Sequence, residues 1–130
     1  IVRFRGHVEF DTLVALLAEF DALVLSSVPV AGSNWVETQA TVMQEAMVMG
    51  TVVVASDIGG VRESLPTALH PYLYAPGSVQ ELRDRLIALG ASDRRALHQL
   101  STLARDFVLT HYDICAINER LLRHLGSVAA

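Results

Sequence analysis

"ALVLSSVPVAGSNWVETQATVMQEAMVMGTVVVAS", residues 22–56, decides the fold. Residues 22–27 form a short apolar run rich in branched side chains, which predicts a strand. Residues 28–35 gather Pro29, Gly32, Ser33 and Asn34, the composition of a loop. Residues 38–49 lack glycine and proline and read as a helix, and Gly50 stands where a C-terminal stop belongs. "TVVVAS" (51–56) is apolar nearly throughout, the pattern of a strand buried on both faces of a parallel sheet. Strand, loop, helix, strand is the crossover unit of an α/β protein.

The flanking sequence repeats this alternation. "IVRF" (1–4) reads as a strand ending at Gly6, and "FDTLVALLAEF" (10–20) as a helix with Leu13, Leu16, Leu17 and Phe20 on one face and Asp11 as N-cap. "DIGGVRE" (57–63) reads as a turn leading into a short helix, and "YLY" (72–74) as a fourth strand followed by the turn "APGS". Helices are expected at about 79–89, 93–110 and 113–125, with Ser92 or Asp93 capping the second of them. The expected fold is α/β: a Rossmann-like, parallel, doubly wound sheet of about four strands, flanked by helices and followed by C-terminal helices.

Composition narrows the function. The chain has 130 residues, 52% of them hydrophobic, enough for a real core. A formal charge of −4 without runs of like charge argues against a broad nucleic-acid-binding face. All ten cations are arginine; without lysine, this chain holds no P-loop and no Schiff-base site. Cys115 is alone, which rules out an internal disulfide and suits a reduced, cytoplasmic setting. No apolar stretch approaches the ~18 residues of a membrane span. A chain that starts directly in a strand reads as a piece of a longer polypeptide.

In such sheets ligands bind beyond the carboxyl ends of the strands, where residues 6–10, 26–37 and 56–60 lie. Glu37 and Glu45 belong to that edge and the helix beginning there. Read as one helix, they lie about 12 Å apart along its axis, with Thr41 between them on one slowly drifting face. That stripe is set among Ala40, Val42, Met43, Ala46 and Met47, so it must face something polar. The plain alternatives are that Glu37 complements the helix dipole and Glu45 pairs with an arginine. Acid, helix N-terminus, acid also suits a sugar, a diphosphate and a ribose in that order.

Other candidates carry less. His7, His70, His98, His111 and His124 show no metal-ligand spacing, and His7 alone lies in a ligand-edge loop. Gly59 and Gly60 form either an ordinary tight turn or a close approach to a ligand. Trp35 packs the loop against the core or stacks on a ligand. Ser26 and Ser27 lack the G-x-S-x-G setting of a hydrolase.

Residues 21–65 resemble the donor-binding half of a retaining glycosyltransferase of family 4, with the GT-B fold. The likeness rests on the strand ending in Ser26–Ser27, the E-x7-E pair Glu37 and Glu45, the run Glu45-Ala46-Met47, Gly50, the buried strand, and Gly59-Gly60 followed by Glu63. "FRGHV" (4–8) is similar to the family's preceding strand and base-side loop. The resemblance implies one half of a GT-B fold, a donor-binding domain over residues 1–112, and a C-terminal helix over 113–130 that packs back on it. It implies that Glu37 is catalytic and contacts the donor sugar. Glu45 would hold the ribose hydroxyls, backbone amides near Ala40 and Thr41 would receive the diphosphate, and Thr38 and Gln39 would also bind the donor. Gly6, His7 and Val8 would line the base, and Gly59 and Gly60 would approach the donor. It implies a nucleotide-sugar donor, no metal or other cofactor, retention by front-face attack, and an N-terminal acceptor domain in the same polypeptide, cytoplasmic and at the inner face of a membrane. Gln39 and Ala40 depart from the family's aromatic and glycine, and Val52 from its proline. The arginine and lysine that neutralise the diphosphate would precede Ile1, so this chain is expected to be inactive alone. A nucleotide-sugar epimerase and a non-catalytic nucleotide-binding domain are the competing readings.

Overall fold

The computed structural model describes residues 2–32 and 36–128. The sequence-based readings of Ile1 and Trp35 lie outside the described residues. Three strands, β1 (Ala22–Leu25), β2 (Val52–Ser56) and β3 (Leu73–Tyr74), form a parallel sheet in the order β1-β2-β3. Ala22 pairs with Val52 and Leu25 with Ala55, and Ser56 pairs with Tyr74. β2 is central and every residue in it is buried. Burying a valine side chain contributes roughly 1.5–3 kcal/mol, so Val52, Val53 and Val54 anchor the molecule.

Five helices flank the sheet: α1 (Phe10–Glu19), α2 (Thr41–Val48), α3 (Val79–Gly90), α4 (Arg94–His111) and α5 (Ile114–Val128). α2 packs against both α1 and α4, and α3 against β2 and β3. Met43, Ala46 and Met47 of α2 meet Leu17 of α1, Leu89 of α3 and Val108 of α4 in the core. Thr51, fully buried, donates its hydroxyl to the Leu17 carbonyl and ties the start of β2 to the end of α1. α2 ends at Gly50, whose φ of +89° fits the left-handed stop after the Met49 cap.

The structure departs from the sequence reading in four places. Residues 2–4 are not a strand; Val2 and Phe4 are 80% and 97% exposed, and no neighbouring strand offers them a ladder. The sheet therefore has three strands among the described residues rather than four. α2 begins at Thr41 rather than 38; residues 36–40 are outside any helix, and Gly60 N, from after β2, donates to Glu37 O there. Residues 59–64 form turns and no helix, and a 3-10 segment, Thr67–Tyr72, delivers the chain to β3. The N-cap of α1 is Glu9 rather than Asp11, and no side chain caps it.

Candidate functional site

The carboxyl ends of the strands are tied together by polar side chains. Ser56 Oγ donates to Ser27 O at 2.7 Å, and the Tyr74 hydroxyl donates to Leu25 O at 3.2 Å, reaching from β3 past β2 to β1. Burial pushes the Tyr74 phenol above its ordinary pKa. These bonds fix the points where the loops leave the sheet, and the segment of Glu37 comes up against the loop that follows β2.

Gly59 and Gly60 hold that arrival. Gly60 N donates to Glu37 O at 3.1 Å. A Cβ added at Gly59 would lie 1.8 Å from Glu37 O, and one added at Gly60 would lie 2.0 Å from Thr38 O. Neither contact leaves room for a side chain, so the pair serves as a seat for the backbone of Glu37 and Thr38. At Gly59 the φ of +55° adds a second requirement for glycine.

From that seat Thr38 and Gln39, both exposed, run into Ala40, the buried N-cap of α2. Ala40 has no side chain to cap the helix, whereas α3 is capped by Ser78, which accepts from Glu81 N, and α4 by Asp93, which accepts from Ala96 N. Met43 N donates to Ala40 O at 2.9 Å, and no side chain caps the first turn of α2, whose N-terminus carries the positive end of the dipole. A parallel crossover puts that end of α2 at the carboxyl edge of the sheet.

Glu45 lies one turn into α2. It is half-buried and lines a cleft of about 380 Å³ with Phe10 and Val14 of α1, Val48 of α2, its C-cap Met49, and Tyr112. Glu37, also half-buried, does not line that cleft. Among the described residues neither side-chain carboxylate has a hydrogen-bond or ion-pair partner. The plain alternative, in which Glu45 pairs with an arginine, is thus not what the fold does. Gly6, His7 and Val8 precede α1, whose Phe10 forms a wall of the Glu45 cleft; His7 faces Glu9 at 3.6 Å in the open, and Val8 is half-buried. The structure thus groups Glu37, Thr38, Gly59 and Gly60 at one point, and Glu45 with the start of α1 at another.

Two features were not singled out in the sequence. Arg62 forms a two-pronged pair with Asp57, its Nε donating to Oδ1 at 3.0 Å and a terminal nitrogen to Oδ2, which raises the guanidinium pKa. The five-residue spacing across "DIGGVR" is the only signal of it. Tyr74 at the carboxyl edge had no signal beyond its place at the end of a short strand. Among the described residues no group of three His, Cys, Asp or Glu can hold a metal ion, and no helix is long and apolar enough to cross a membrane.

Neither the curated proteins nor the solved structures contain a match to the chain. The family model described as "Glycosyl transferases group 1" matches residues 1–92, which takes in the sheet, Glu37, the uncapped start of α2, Glu45 and the glycine seat. By that match over most of its length, the chain belongs to the group 1 glycosyl transferases.

Proposed function

We propose that this chain is the donor-binding half of a retaining, family 4 glycosyltransferase of GT-B architecture. It would hold a nucleotide-diphosphate sugar for transfer to an acceptor carried by an N-terminal domain of the same polypeptide. The observation that supports this best is the pair of half-buried, unpartnered carboxylates on either side of an uncapped helix N-terminus. Their carboxylate oxygens reach the surface and are free to accept, and sugar hydroxyls supply donors. Glu37, fixed by its backbone, would act as the catalytic residue that contacts the donor sugar. The amides at Ala40 and Thr41 would receive the diphosphate, with Thr38 and Gln39 beside it. Glu45 would take the ribose hydroxyls, and Gly6, His7 and Val8 would lie along the base. Gly59 and Gly60 would serve the donor through the loop they seat. In this reading residues 1–112 form the donor domain and 113–130 a helix returning over it, no metal participates, and the whole enzyme works in the cytoplasm beside a membrane.

The test uses the natural polypeptide that contains this chain. Nucleotide release from a panel of UDP-, GDP- and ADP-sugars is measured with and without acceptors, for wild type, Glu37→Ala and Glu45→Ala. Turnover of one donor is expected in wild type, unaffected by a chelator. Loss of 10²-fold or more in kcat is expected for Glu37→Ala, and mainly a raised donor KM for Glu45→Ala. Binding without turnover, or turnover indifferent to Glu37, would return the assignment to a non-catalytic nucleotide-binding domain.

A further inference from the structure

The glycine seat is built on the most pliable link a chain can have. Two glycines in succession carry no Cβ to restrict them. Yet Gly60 N meets Glu37 O at 3.1 Å, and the Glu37 and Thr38 carbonyls fill the space that side chains would need. The bonds around the pair fix its shape. Asp57 N donates to Tyr74 O of β3 at 2.8 Å, and His70 Nε2, in the 3-10 segment, lies 3.2 Å from Arg62 O, so the turn is anchored at both ends. Inside it, Val61 N donates to Ile58 O at 3.1 Å. The buried Ser64 donates to Gly60 O through its Oγ at 2.9 Å and its backbone N at 3.2 Å. Across the turn, the Arg62 guanidinium grips both carboxylate oxygens of Asp57. A fork on a carboxylate fixes orientation as well as distance, which a single contact does not. The two side chains are 47% and 35% exposed, and a pair so open to water contributes little to overall stability. Its placement on either side of Ile58, Gly59, Gly60 and Val61 gives it a local effect instead.

We propose that Asp57 and Arg62 are positioning residues: their two-pronged pair straps the Gly59-Gly60 turn shut and thereby holds the backbone of Glu37 where its carboxylate meets the donor. The effect on turnover rests on the donor-binding reading above; the hold on the Glu37 backbone does not. Removing either side chain loosens the turn to the same extent, because the strap needs both.

The experiment again uses the natural polypeptide, as wild type, Arg62→Ala, Asp57→Ala and the double variant Asp57→Ala/Arg62→Ala, with Glu37→Ala and Glu37→Ala/Arg62→Ala alongside. Hydrogen exchange is followed at the Gly60 amide and at the amides of β2, and kcat and KM are measured with the donor that wild type turns over. The Gly60 amide should exchange about tenfold faster in each single variant and no faster still in the double variant, while the β2 amides keep their wild-type rates. In the same variants kcat should fall about three- to tenfold with donor KM within about twofold, and removing Arg62 from Glu37→Ala should cost nothing further. An unprotected Gly60 amide in wild type overturns the proposal, as does one that keeps its rate in Arg62→Ala. So do β2 amides that speed up in parallel, which mark general unfolding. If Glu37→Ala cuts turnover but a loosened Gly60 amide leaves kcat unchanged, the positioning role is overturned. If Glu37→Ala leaves turnover intact, it is the donor-binding assignment of Glu37 that fails, and the Gly60 amide alone decides the strap.

Discussion

Gly60 lies outside the positive-φ region, so its backbone alone does not require glycine. What requires it is Thr38 O, 2.0 Å from where a Cβ would sit. Gly60→Ala should therefore destabilise by about 1–3 kcal/mol, as overpacking does, and should lower kcat as well by displacing Glu37. Thermal melts beside turnover assays check both, and an active, fully stable Gly60→Ala would show that the loop shifts freely. Thr51→Val keeps the shape of a buried residue but removes its hydroxyl bond to Leu17 O. It should cost about 1 kcal/mol with no effect on the donor KM, measured by denaturant midpoint and kinetics. At this scale Glu45 stood out in the sequence because an acid in an apolar helix demands a reason, whereas Glu37 lies ahead of that helix. The glycine seat did not stand out, because Glu37 and Gly60 are separated in sequence by the whole of α2 and β2, and only the fold brings them into contact.

At the scale of elements, the runs with strong local signals appeared where the sequence placed them. α3, α4 and α5 differ by only a few residues from the expected spans, and β2 is buried from end to end. Caps explain the sharp starts of α3 and α4. Asp93→Ala should lower stability by about 1 kcal/mol, seen as a reduced melting temperature, while the uncapped start of α2 offers no comparable bond to lose. Two of the misreadings share one cause. Residues 2–4 look like a strand but have no partner beside them, and 38–40 look helical but follow directly on Glu37, whose carbonyl is taken by Gly60 N. In both, a tertiary contact, made or missing, outweighs local pattern. The 3-10 segment carries Pro71 within it and has no apolar period to announce it.

Across the whole molecule, the carboxyl edge depends on a phenol that must stay neutral. Tyr74 has its pKa raised by burial, so the folded state holds its proton more tightly than the unfolded chain does. Its contribution is complete below the ordinary tyrosine pKa of about 10 and is lost as pH rises through the higher folded value. Alkaline unfolding of wild type should therefore steepen above pH ~10, and Tyr74→Phe should flatten that limb while lowering stability at neutral pH through loss of the bond to Leu25 O. Denaturant midpoints at a series of pH values test this; equal slopes in the two proteins would contradict it. The sequence made the parallel sheet legible at this scale but not how its strands are tied, since Ser56 to Ser27 and Tyr74 to Leu25 are contacts between separate runs.

The glycine seat also bears on engineering. In the donor-binding reading proposed above, donor preference would be exchanged by transplanting the loop and helix that carry the acids. Here the smallest portable piece cannot end at Gly50, because the backbone of Glu37 and Thr38 rests on residues beyond the next strand. A graft cut between α2 and β2 would carry the acids away from the surface that shapes their approach. A graft spanning residues 36–60 would bring its own mould.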